Sequence, residues 1–265
     1  MGYRITAQSL PTKNKRVTLL FFLAVVIGLP AEHSFADVPV TEILANVSEN
    51  YARLHGYQLV GDINTAVVAV GDARSPEGGR ATSNFHQSTN SEVDLAAVPP
   101  GKVRLQIRDE SREVLVVSDG STTWTYLPRK KQYTEGPTSE AKTEPTLNHY
   151  QDLLVNRYKA LSRFGGKFVM EKDNQIKVGK DKVDCYVLKM ETPDGIYEIW
   201  VDKNRFIVWR SRDSSPTAQE GISLQKTTTV NLKSANVNAE LDDKMFVFIP
   251  PEKVTKVQSL SGSIK

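Results

Sequence analysis

Residues 114–134, with the sequence VLVVSDGSTTWTYLPRKKQYT, decide the fold of this chain. Apolar, mostly β-branched residues precede the pair Asp119-Gly120, and Thr and aromatic residues follow it, so both flanks have strand chemistry. Asp-Gly supplies the positive φ angles that a tight hairpin turn requires. Pro128 ends the second strand, and a basic turn then leads into a further extended segment. The stretch therefore predicts a β-hairpin followed by a turn and a third strand.

The second strand of this hairpin carries two aromatic rings. Side chains alternate along a strand, so Trp124 and Tyr126 lie together on the face opposite Thr123 and Thr125. A single ring on a strand is more often part of a core than of a binding site. As a set, the aromatic residues also suit the lining of a cavity, because sheet mouths commonly hold small apolar ligands. Both interpretations stay open at the level of sequence.

Outside the hairpin, short predicted strands alternate with turns and are interrupted by two helical patterns. Residues 41–54 and 147–161 each place apolar residues on one face at helical spacing. Strands joined by short reversals are typical of a meandering antiparallel sheet. The predicted strands are 57–70, 81–98, 102–108, 168–177, 183–191, 195–201, 206–211, 224–233 and 246–249, with a polar loop at 214–220.

The first 36 residues have the composition of a secretory signal peptide. Four basic residues precede an apolar run at 17–29, and Ser34 and Ala36 occupy the two positions that a signal peptidase reads. The alternative is an uncleaved membrane anchor, but about 13 apolar residues are fewer than the roughly 20 that span a bilayer. We therefore expect a cleaved signal at 1–36, one domain at 37–257 and a flexible tail at 258–265. The mature chain is expected in the periplasm without a transmembrane span.

Charge argues against a nucleic-acid partner. The whole chain has a net charge of +3, from 34 Lys and Arg and 31 Asp and Glu. Removal of the signal takes four basic residues and Glu32 with it, which leaves 30 of each sign. A nucleic-acid-binding domain would carry a clustered basic patch instead. The excess of positive charge therefore belongs to the targeting segment.

The chain has a single cysteine, Cys185, which cannot form an internal disulfide. It lies in an apolar strand pattern, and a buried, inert thiol is the expected state. No cysteine stands near the end of the signal, so the mature chain has no site there for lipid attachment. We expect a soluble exported protein.

Convergent catalytic chemistry is missing from the sequence. After the signal the histidines are His55, His86 and His149, each isolated and without the spacing of metal ligands. We find no nucleophile elbow, no phosphate-binding glycine loop and no Cys-His pair close in sequence. Catalytic groups distant in sequence could still meet in the fold. The sequence nevertheless favours a protein that is not an enzyme and has no catalytic residue, metal or cofactor.

Three pieces of the chain resemble the outer-membrane lipoprotein carrier superfamily. They are the hairpin at 117–126, the segment Ile199-Trp200-Val201-Asp202, and the sequence FVFIPP at 246–251. Their order and spacing match across residues 41–257. The resemblance implies a mainly β (α+β) fold, a strongly curved, unclosed antiparallel sheet or half barrel covered by helices around an apolar cavity. In the carriers this cavity shelters the acyl chains of lipoproteins that cross the periplasm.

We therefore expect a periplasmic protein that binds or carries lipid acyl chains or a lipoprotein. Its partners would include a protein of the inner or outer membrane. Each methylene sheltered from water contributes about 0.8 kcal/mol, so a cavity for several chains is physically reasonable. The residues expected to line the ligand site are Tyr57, Leu59, Ile63, Val67, Leu105, Trp124, Tyr126 and Trp200.

One position departs from the carrier pattern. The carriers have an arginine before a proline that ties the helical lid shut, whereas this chain has Val98 before Pro99. Arg104 is a candidate substitute. The resemblance thus favours hydrophobic-ligand binding over a complete carrier cycle. The same fold also occurs in regulators of envelope stress, so the alternative is an envelope sensor or protein-interaction module with a filled core, which would use residues 129–131 for contact.

Overall fold

The structure, a computed structural model, describes residues 38–69, 73–74, 80–81, 86–141, 145–219 and 222–260. The predicted signal at 1–36 lies outside these residues, as do most of the predicted turn at 71–79 and the end of the predicted tail, 261–265. Leu260, within that tail, is buried in the core.

The two predicted helical patterns form the helical layer. Helix α1 spans Val40–Ala52 and buries Ile43, Leu44, Val47 and Tyr51. The second pattern divides into helix α3, Pro145–Leu154, and a 3₁₀ segment, Asn156–Lys167. All five apolar residues of the predicted second stripe are buried: Leu147, Tyr150, Leu154, Tyr158 and Leu161. The short helix α2, Thr138–Ala141, and the 3₁₀ turns Pro128–Lys130 and Asp243–Phe246 complete the described helical elements.

Most of the described chain is strand. The elements in order are β1 Tyr57–Ala69, β2 Ala73–Arg74, β3 Arg80–Ala81, β4 His86–Val98, β5 Lys102–Arg108, β6 Glu113–Asp119, β7 Thr122–Leu127, β8 Gln132–Pro137, β9 Phe168–Met170, β10 Asn174–Val178, β11 Asp181–Thr192, β12 Gly195–Asp202, β13 Val208–Gln219, β14 Ile222–Val237 and β15 Thr255–Lys256.

Thirteen of these strands form one unclosed sheet within the described chain. Its order is β10-β11-β12-β13-β14-β1-β4-β5-β6-β7-β8-β15, and β9 pairs with β11. Neighbours are antiparallel except β8 and β15, which are parallel, so the sheet is mixed rather than purely antiparallel. Long β1 pairs with both β4 and β14 and thereby joins the two halves.

The hairpin predicted from the opening stretch is confirmed as β6 and β7. The Asp119 carboxylate accepts hydrogen bonds from the backbone N–H groups of Ser121 and Thr122, both at 2.8 Å. Gly120 has a φ of +102°, which glycine adopts without strain. Thr123, Thr125 and Leu127 are buried, so the predicted alternation of the second strand is confirmed as well.

Three predicted boundaries are wrong. Residues 214–219 continue β13 rather than form a loop, because they pair with β14 through residue 222. Residues 247–250 are not a strand, and the terminal strand is β15, further along the chain. The predicted strand 168–177 is two strands, which pair with different parts of β11. The polar residues at 214–219 suggested a loop, and the apolar run at 246–249 suggested a strand. Both predictions failed because pairing with distant strands, and not local composition, decides which segments become strands.

The alternation of side chains gives the sheet a helix-covered face and a back face. On the helix-covered face, Leu59 pairs with Leu95, Leu95 with Leu105, and Leu105 with Val116, and all four are buried. The helical layer is bonded to this face: the Tyr158 hydroxyl donates to Ser211 Oγ at 3.1 Å. This face forms the main core.

Tyr51 of α1 contacts both the sheet and the 3₁₀ segment. The Tyr51 hydroxyl accepts from the Val208 N–H at 3.2 Å, and the Tyr51 and Tyr158 ring centroids lie 4.9 Å apart. Cys185 is fully buried, which confirms that part of the prediction, and burial raises the pKa of its thiol to about 12.

The C-terminal segment, residues 243–257, crosses the back face of β5–β8. Phe246 is 1% exposed, and its 3₁₀ turn lies against β5 and β6. Lys102 Nζ lies 2.6 Å from the Asp243 carboxylate at the start of the segment. The β15 strand then adds to the edge of β8. The chain thus covers its own back face in this half of the sheet.

Candidate functional site

The eight residues predicted to line a ligand site do not share one face. Five lie on the helix-covered face: Tyr57, Leu59, Ile63, Val67 and Leu105. Trp124, Tyr126 and Trp200 alternate to the back face. One cavity containing all eight is therefore not formed, and their role in binding a ligand stays a prediction.

Trp124 and Tyr126 belong to a closed aromatic cluster on the back face. The Phe248 ring of the C-terminal segment lies 6.1 Å from the Trp124 ring, 5.7 Å from Tyr126 and 5.5 Å from Tyr133. Trp200, also on the back face, is 8% exposed and lies under the Arg210 guanidinium at 5.4 Å. These rings pack against the chain itself.

The predicted residues on the helix-covered face have different surroundings. Leu59 and Leu105 are fully buried in the core. Tyr57 lines a polar notch of about 220 Å³ between α3 and the Pro99-Pro100 corner. Ile63 lines a larger cavity, described below, and Val67 lies further along the same strand.

A single row of paired residues on the helix-covered face changes character as it crosses the sheet. We call it the transverse row. In register, Thr89 pairs with Thr65, Thr65 with Thr228, Thr228 with Asp213, Asp213 with Tyr197, Tyr197 with Met190, and Met190 with Phe168. Directly paired residues point to the same face. One end of the row therefore presents hydroxyls, the centre a carboxylate, and the other end aromatic and thioether groups.

An apolar cavity of about 330 Å³ lies over the apolar end of this row. Phe164 in its wall is 41% exposed and Ile196 is 37% exposed, so apolar surface reaches solvent at this cavity. The remaining apolar lining comes from the 3₁₀ segment, β9, β11 and β12. The full lining is Asp152, Arg157, Leu161, Phe164, Phe168, Met190, Thr192, Asp194, Gly195, Ile196, Tyr197 and Asp213.

A cationic cavity of about 390 Å³ lies over the hydroxyl end. Its floor is made of hydroxyl groups from four neighbouring strands, and its walls carry Arg112, His149, Arg157 and Lys226 against the single carboxylate of Asp213. The complete lining is Ile63, Thr65, Thr89, Ser91, Arg112, His149, Tyr150, Leu153, Arg157, Asp213, Ser215, Lys226 and Thr228.

Arg157 and Asp213 line both cavities. The Arg157 guanidinium lies 5.7 Å from the centroid of the Tyr197 ring and 3.9 Å from the Asp152 carboxylate. Tyr197 itself has a buried hydroxyl without a hydrogen-bond partner among the described residues. Burial raises the pKa of Tyr197 well above its usual value, so the ring stays neutral. The two cavities thus adjoin at a cation placed over a neutral ring.

The local turn at residues 109–112 positions Arg112. Its Nε lies 2.7 Å from the Asp109 carboxylate, and its Nη2 donates to the Tyr150 hydroxyl at 3.1 Å. The Asp109 side chain is 3% exposed and also accepts from the backbone N–H groups of Ser111 and Arg112. The bonds to Asp109 and Tyr150 hold the Arg112 guanidinium at the wall of the cationic cavity.

The positive charges of the cationic cavity affect the pKa of His149, which lies in its lining. The pKa of His149 is held below its usual 6.5. Desolvation is the largest cause, and the charges of Arg157 and Lys226 follow. Asp152 acts in the opposite direction, and Arg112 adds to the lowering. Desolvation disfavours a charge of either sign, whereas the charges of Arg157, Lys226 and Arg112 disfavour a further cation and favour an anion.

Two basic residues considered from the sequence, Arg104 and Arg129, donate hydrogen bonds to backbone carbonyls. Arg104 faces the back of the sheet, where its Nη1 donates to the Met245 carbonyl at 3.4 Å, so it holds the C-terminal segment rather than the helical layer. Arg129 donates to the Glu110 carbonyl at 2.6 Å and to the Asp109 carbonyl at 2.9 Å. Arg104 therefore does not replace the carrier arginine that is missing at Val98.

Sequence reasoning missed the cavity residues of the 3₁₀ segment and β9. Phe164 and Phe168 flank Gly165-Gly166, which the sequence marks only as the end of a helix. A signal was present, because two aromatic residues beside a glycine pair are unusual for a solvated turn. The pairing that brings Phe168 beside Met190 and Tyr197 could not be derived from spacing. No group of three metal-ligating side chains occurs within the described ranges.

The chain belongs to the family described as "Predicted periplasmic protein (DUF2092)", whose model matches residues 81–260. None of the helices that the structure describes is long and apolar enough to cross a membrane.

Two curated proteins are similar to parts of the chain. An uncharacterized protein of Methanocaldococcus jannaschii, MJ0687, is 28% identical over 177 residues, which are 64% of this chain and 44% of that protein. An outer-membrane lipoprotein carrier protein of Helicobacter hepaticus is 34% identical over 83 residues, 30% of this chain and 46% of the carrier. The chain thus spans less than half the length of either relative. The second match supports the resemblance to the carriers.

Two solved structures are also similar. The Pseudomonas aeruginosa MucA/MucB complex gives a TM-score of 0.35 at 10% identity and covers 79% of this chain and 61% of that one. A structure of MucB in complex with MucA(peri) gives 0.33 at 12% identity, with 76% and 56% covered. At these scores nothing about the site is transferred from them.

Proposed function

We propose that this periplasmic protein binds the acyl chain of a lipid or lipoprotein in the apolar cavity, without catalysing a reaction. The observation that carries the proposal is the apolar end of the transverse row. There Tyr197, Met190 and Phe168 stand side by side under a cavity that reaches solvent.

The cavity has a suitable size and lining for such a ligand. Its volume of about 330 Å³ is at the lower end of the usual range for small-molecule sites, about 300–1,000 Å³. Sheltering each methylene contributes about 0.8 kcal/mol, so a chain of ten carbons has a substantial driving force. The exposed apolar surface of Phe164 and Ile196 would be covered by the occupant.

Similarity to the Helicobacter hepaticus carrier agrees with this proposal. The missing carrier arginine and the actual task of Arg104 argue for a binding role without the lid interaction of the carriers. Release to an acceptor in the membrane would then depend on other contacts.

The alternative is an envelope sensor or interaction module whose ligand is another protein. It is favoured by the filled core around Tyr51 and Tyr158 and by the exposure of Val247 and Ile249, at 53% and 80%, on the C-terminal segment. These two side chains offer apolar contact surface beside the closed aromatic cluster.

Native mass spectrometry of the protein recovered from its own periplasm tests the proposal. We expect a population with added mass in the lipid range that organic extraction removes and that returns on incubation with lipid. A ligand-free mass both before and after incubation with lipids would contradict the proposal and favour the sensor.

A further inference from the structure

We propose that the cationic cavity binds the anionic head group of the ligand, so that the site selects amphiphiles with a phosphate or carboxylate next to the acyl chain. This inference rests on the proposed function and specifies its ligand class. It is independent of the carrier resemblance, because it follows from the charges and hydroxyls at the other end of the transverse row.

Charge is the first argument. Three fixed cations, Arg112, Arg157 and Lys226, face one carboxylate, Asp213, in the described lining. Arg112 already has a carboxylate partner in Asp109, and Arg157 has a distant one in Asp152. Lys226 is exposed and adds a charge of its own. Asp109 and Asp152 lie outside the lining of this cavity, so the side chains that line it carry three positive charges and one negative charge and attract an anion.

Hydrogen-bond donors are the second argument. Thr65, Thr89 and Thr228 follow one another in register on three adjacent strands, and Ser91 and Ser215 lie beside them. Hydroxyl groups donate to the oxygens of a phosphate or carboxylate, and arginine binds both anions through paired N–H groups. The floor and the walls thus offer complementary donors.

Position is the third argument. Arg157 and Asp213 line both cavities, so the positive region begins where the apolar one ends. A chain lying over Phe168, Met190 and Tyr197 would bring its head group to Arg157, which stands over the Tyr197 ring. Asp213 lies at the same junction, and its carboxylate repels an anion there. The anionic head group should therefore bind nearer to Thr65 and Lys226.

Calorimetric titration with four amphiphiles that share a decyl chain tests the head-group site. The probes, all below their micellar concentrations, are decyl phosphate, decanoate, decyl maltoside and decyltrimethylammonium. We expect the two anionic probes to bind at least about tenfold more tightly than the neutral one, and the cationic probe to bind most weakly. The ratio of phosphate to carboxylate affinity then distinguishes the two sources of negative charge.

Charge reversal on the two faces of β14 supplies the matched control. Lys226 faces the cavity, whereas Lys233 on the same strand lies on the back face and pairs with Asp62 at 2.7 Å. We expect Lys226→Glu to abolish the preference for anionic heads while binding of decyl maltoside is retained. Lys233→Glu changes the net charge equally and should leave the preference intact.

The imidazole of His149 provides a second readout by NMR. Binding of decyl phosphate should raise the pKa of His149, because an anion offsets the nearby charges of Arg157, Lys226 and Arg112. Decyl maltoside should not raise it.

Equal affinity for all four heads, with no effect of Lys226→Glu, would overturn the head-group site and leave acyl-chain binding in place. Failure of every decyl probe to bind would overturn the head-group site and the proposed function together.

Discussion

The two aromatic regions of this protein differ in what covers them. On the back face, Phe248 of the C-terminal segment closes Trp124, Tyr126 and Tyr133. Over the apolar end of the transverse row, Phe164 leaves 41% of its surface exposed beside a cavity. Similar residues thus form a closed cluster in one place and an open cavity in the other. The presence of rings on strands does not define a binding site, whereas an uncovered face beside a cavity is evidence for one.

Phe246→Ala should show the largest effect, because it attacks the closed region. Truncation of a buried Phe typically costs about 3–5 kcal/mol. We expect urea unfolding to report a loss of this size, while acyl-chain binding by the folded fraction is unchanged. Ile249→Ala, at an exposed position of the same segment, should change the unfolding free energy by less than about 0.5 kcal/mol. Similar losses in the two variants would mean that the segment does not pack as described.

Phe248→Ala should have a smaller effect on stability and a distinct spectroscopic one. Each aromatic pair contributes roughly 0.5–1.5 kcal/mol beyond buried area, and Phe248 is only partly buried, so we expect a loss of about 1–3 kcal/mol. Opening the cluster should also shift the emission of Trp124 to the red. Unchanged emission would contradict the closed cluster, and Val247→Ala serves as the exposed control.

Asp109 holds the turn beside the cationic cavity: the Arg129 guanidinium donates to its carbonyl, and Arg112 of the same turn lines that cavity. Partial burial raises its pKa, but hydrogen bonds from Ser111 and Arg112 outweigh this and lower the pKa from 3.8 to about 2. A lowered folded pKa stabilises the fold above about pH 4, and this contribution is lost as the pH falls towards 2.

Asp109→Asn should therefore lower the unfolding free energy at pH 7 by about 1 kcal/mol, and the difference from the parent should shrink between pH 4 and pH 2. Thermal unfolding at several pH values measures it. A difference that is independent of pH would show that the carboxylate charge is not what holds the turn. Glu110→Gln, at the neighbouring exposed position, is the control.

Local sequence chemistry predicted the elements whose partners are close in the chain. The Asp119-Gly120 turn, the alternation through Trp124 and Tyr126, and the buried faces of both helical patterns all follow from short-range rules. The strand at 214–219 was missed because its polar residues are tolerated only through pairing with β14. The parallel pairing of Thr255–Lys256 with β8 likewise depends on a distant edge.

The candidate site was less predictable than the fold. Tyr57 and Ile63 each line a cavity, whereas Leu59 and Leu105 lie in the core and Trp124 packs under Phe248. The transverse row joins residues from Phe168 to Thr89 through six strand pairings, and no local pattern encodes that order. A sequence indicates which face a side chain takes, but not which distant segment leaves that face uncovered.

Binding of a hydrophobic fluorophore to the full chain and to two variants tests the central claim most directly. Phe164→Asp places a charge in the wall of the apolar cavity, and Val169→Asp makes the same change at a neighbouring apolar residue that is 57% exposed and outside the cavity lining. Loss of apolar contact worth about 1.5–3 kcal/mol corresponds to roughly 10- to 100-fold weaker binding. We predict bright fluorescence with the unchanged protein and with Val169→Asp, and weak fluorescence with Phe164→Asp. A dark unchanged protein, or full brightness in Phe164→Asp, would contradict an open acyl-chain site.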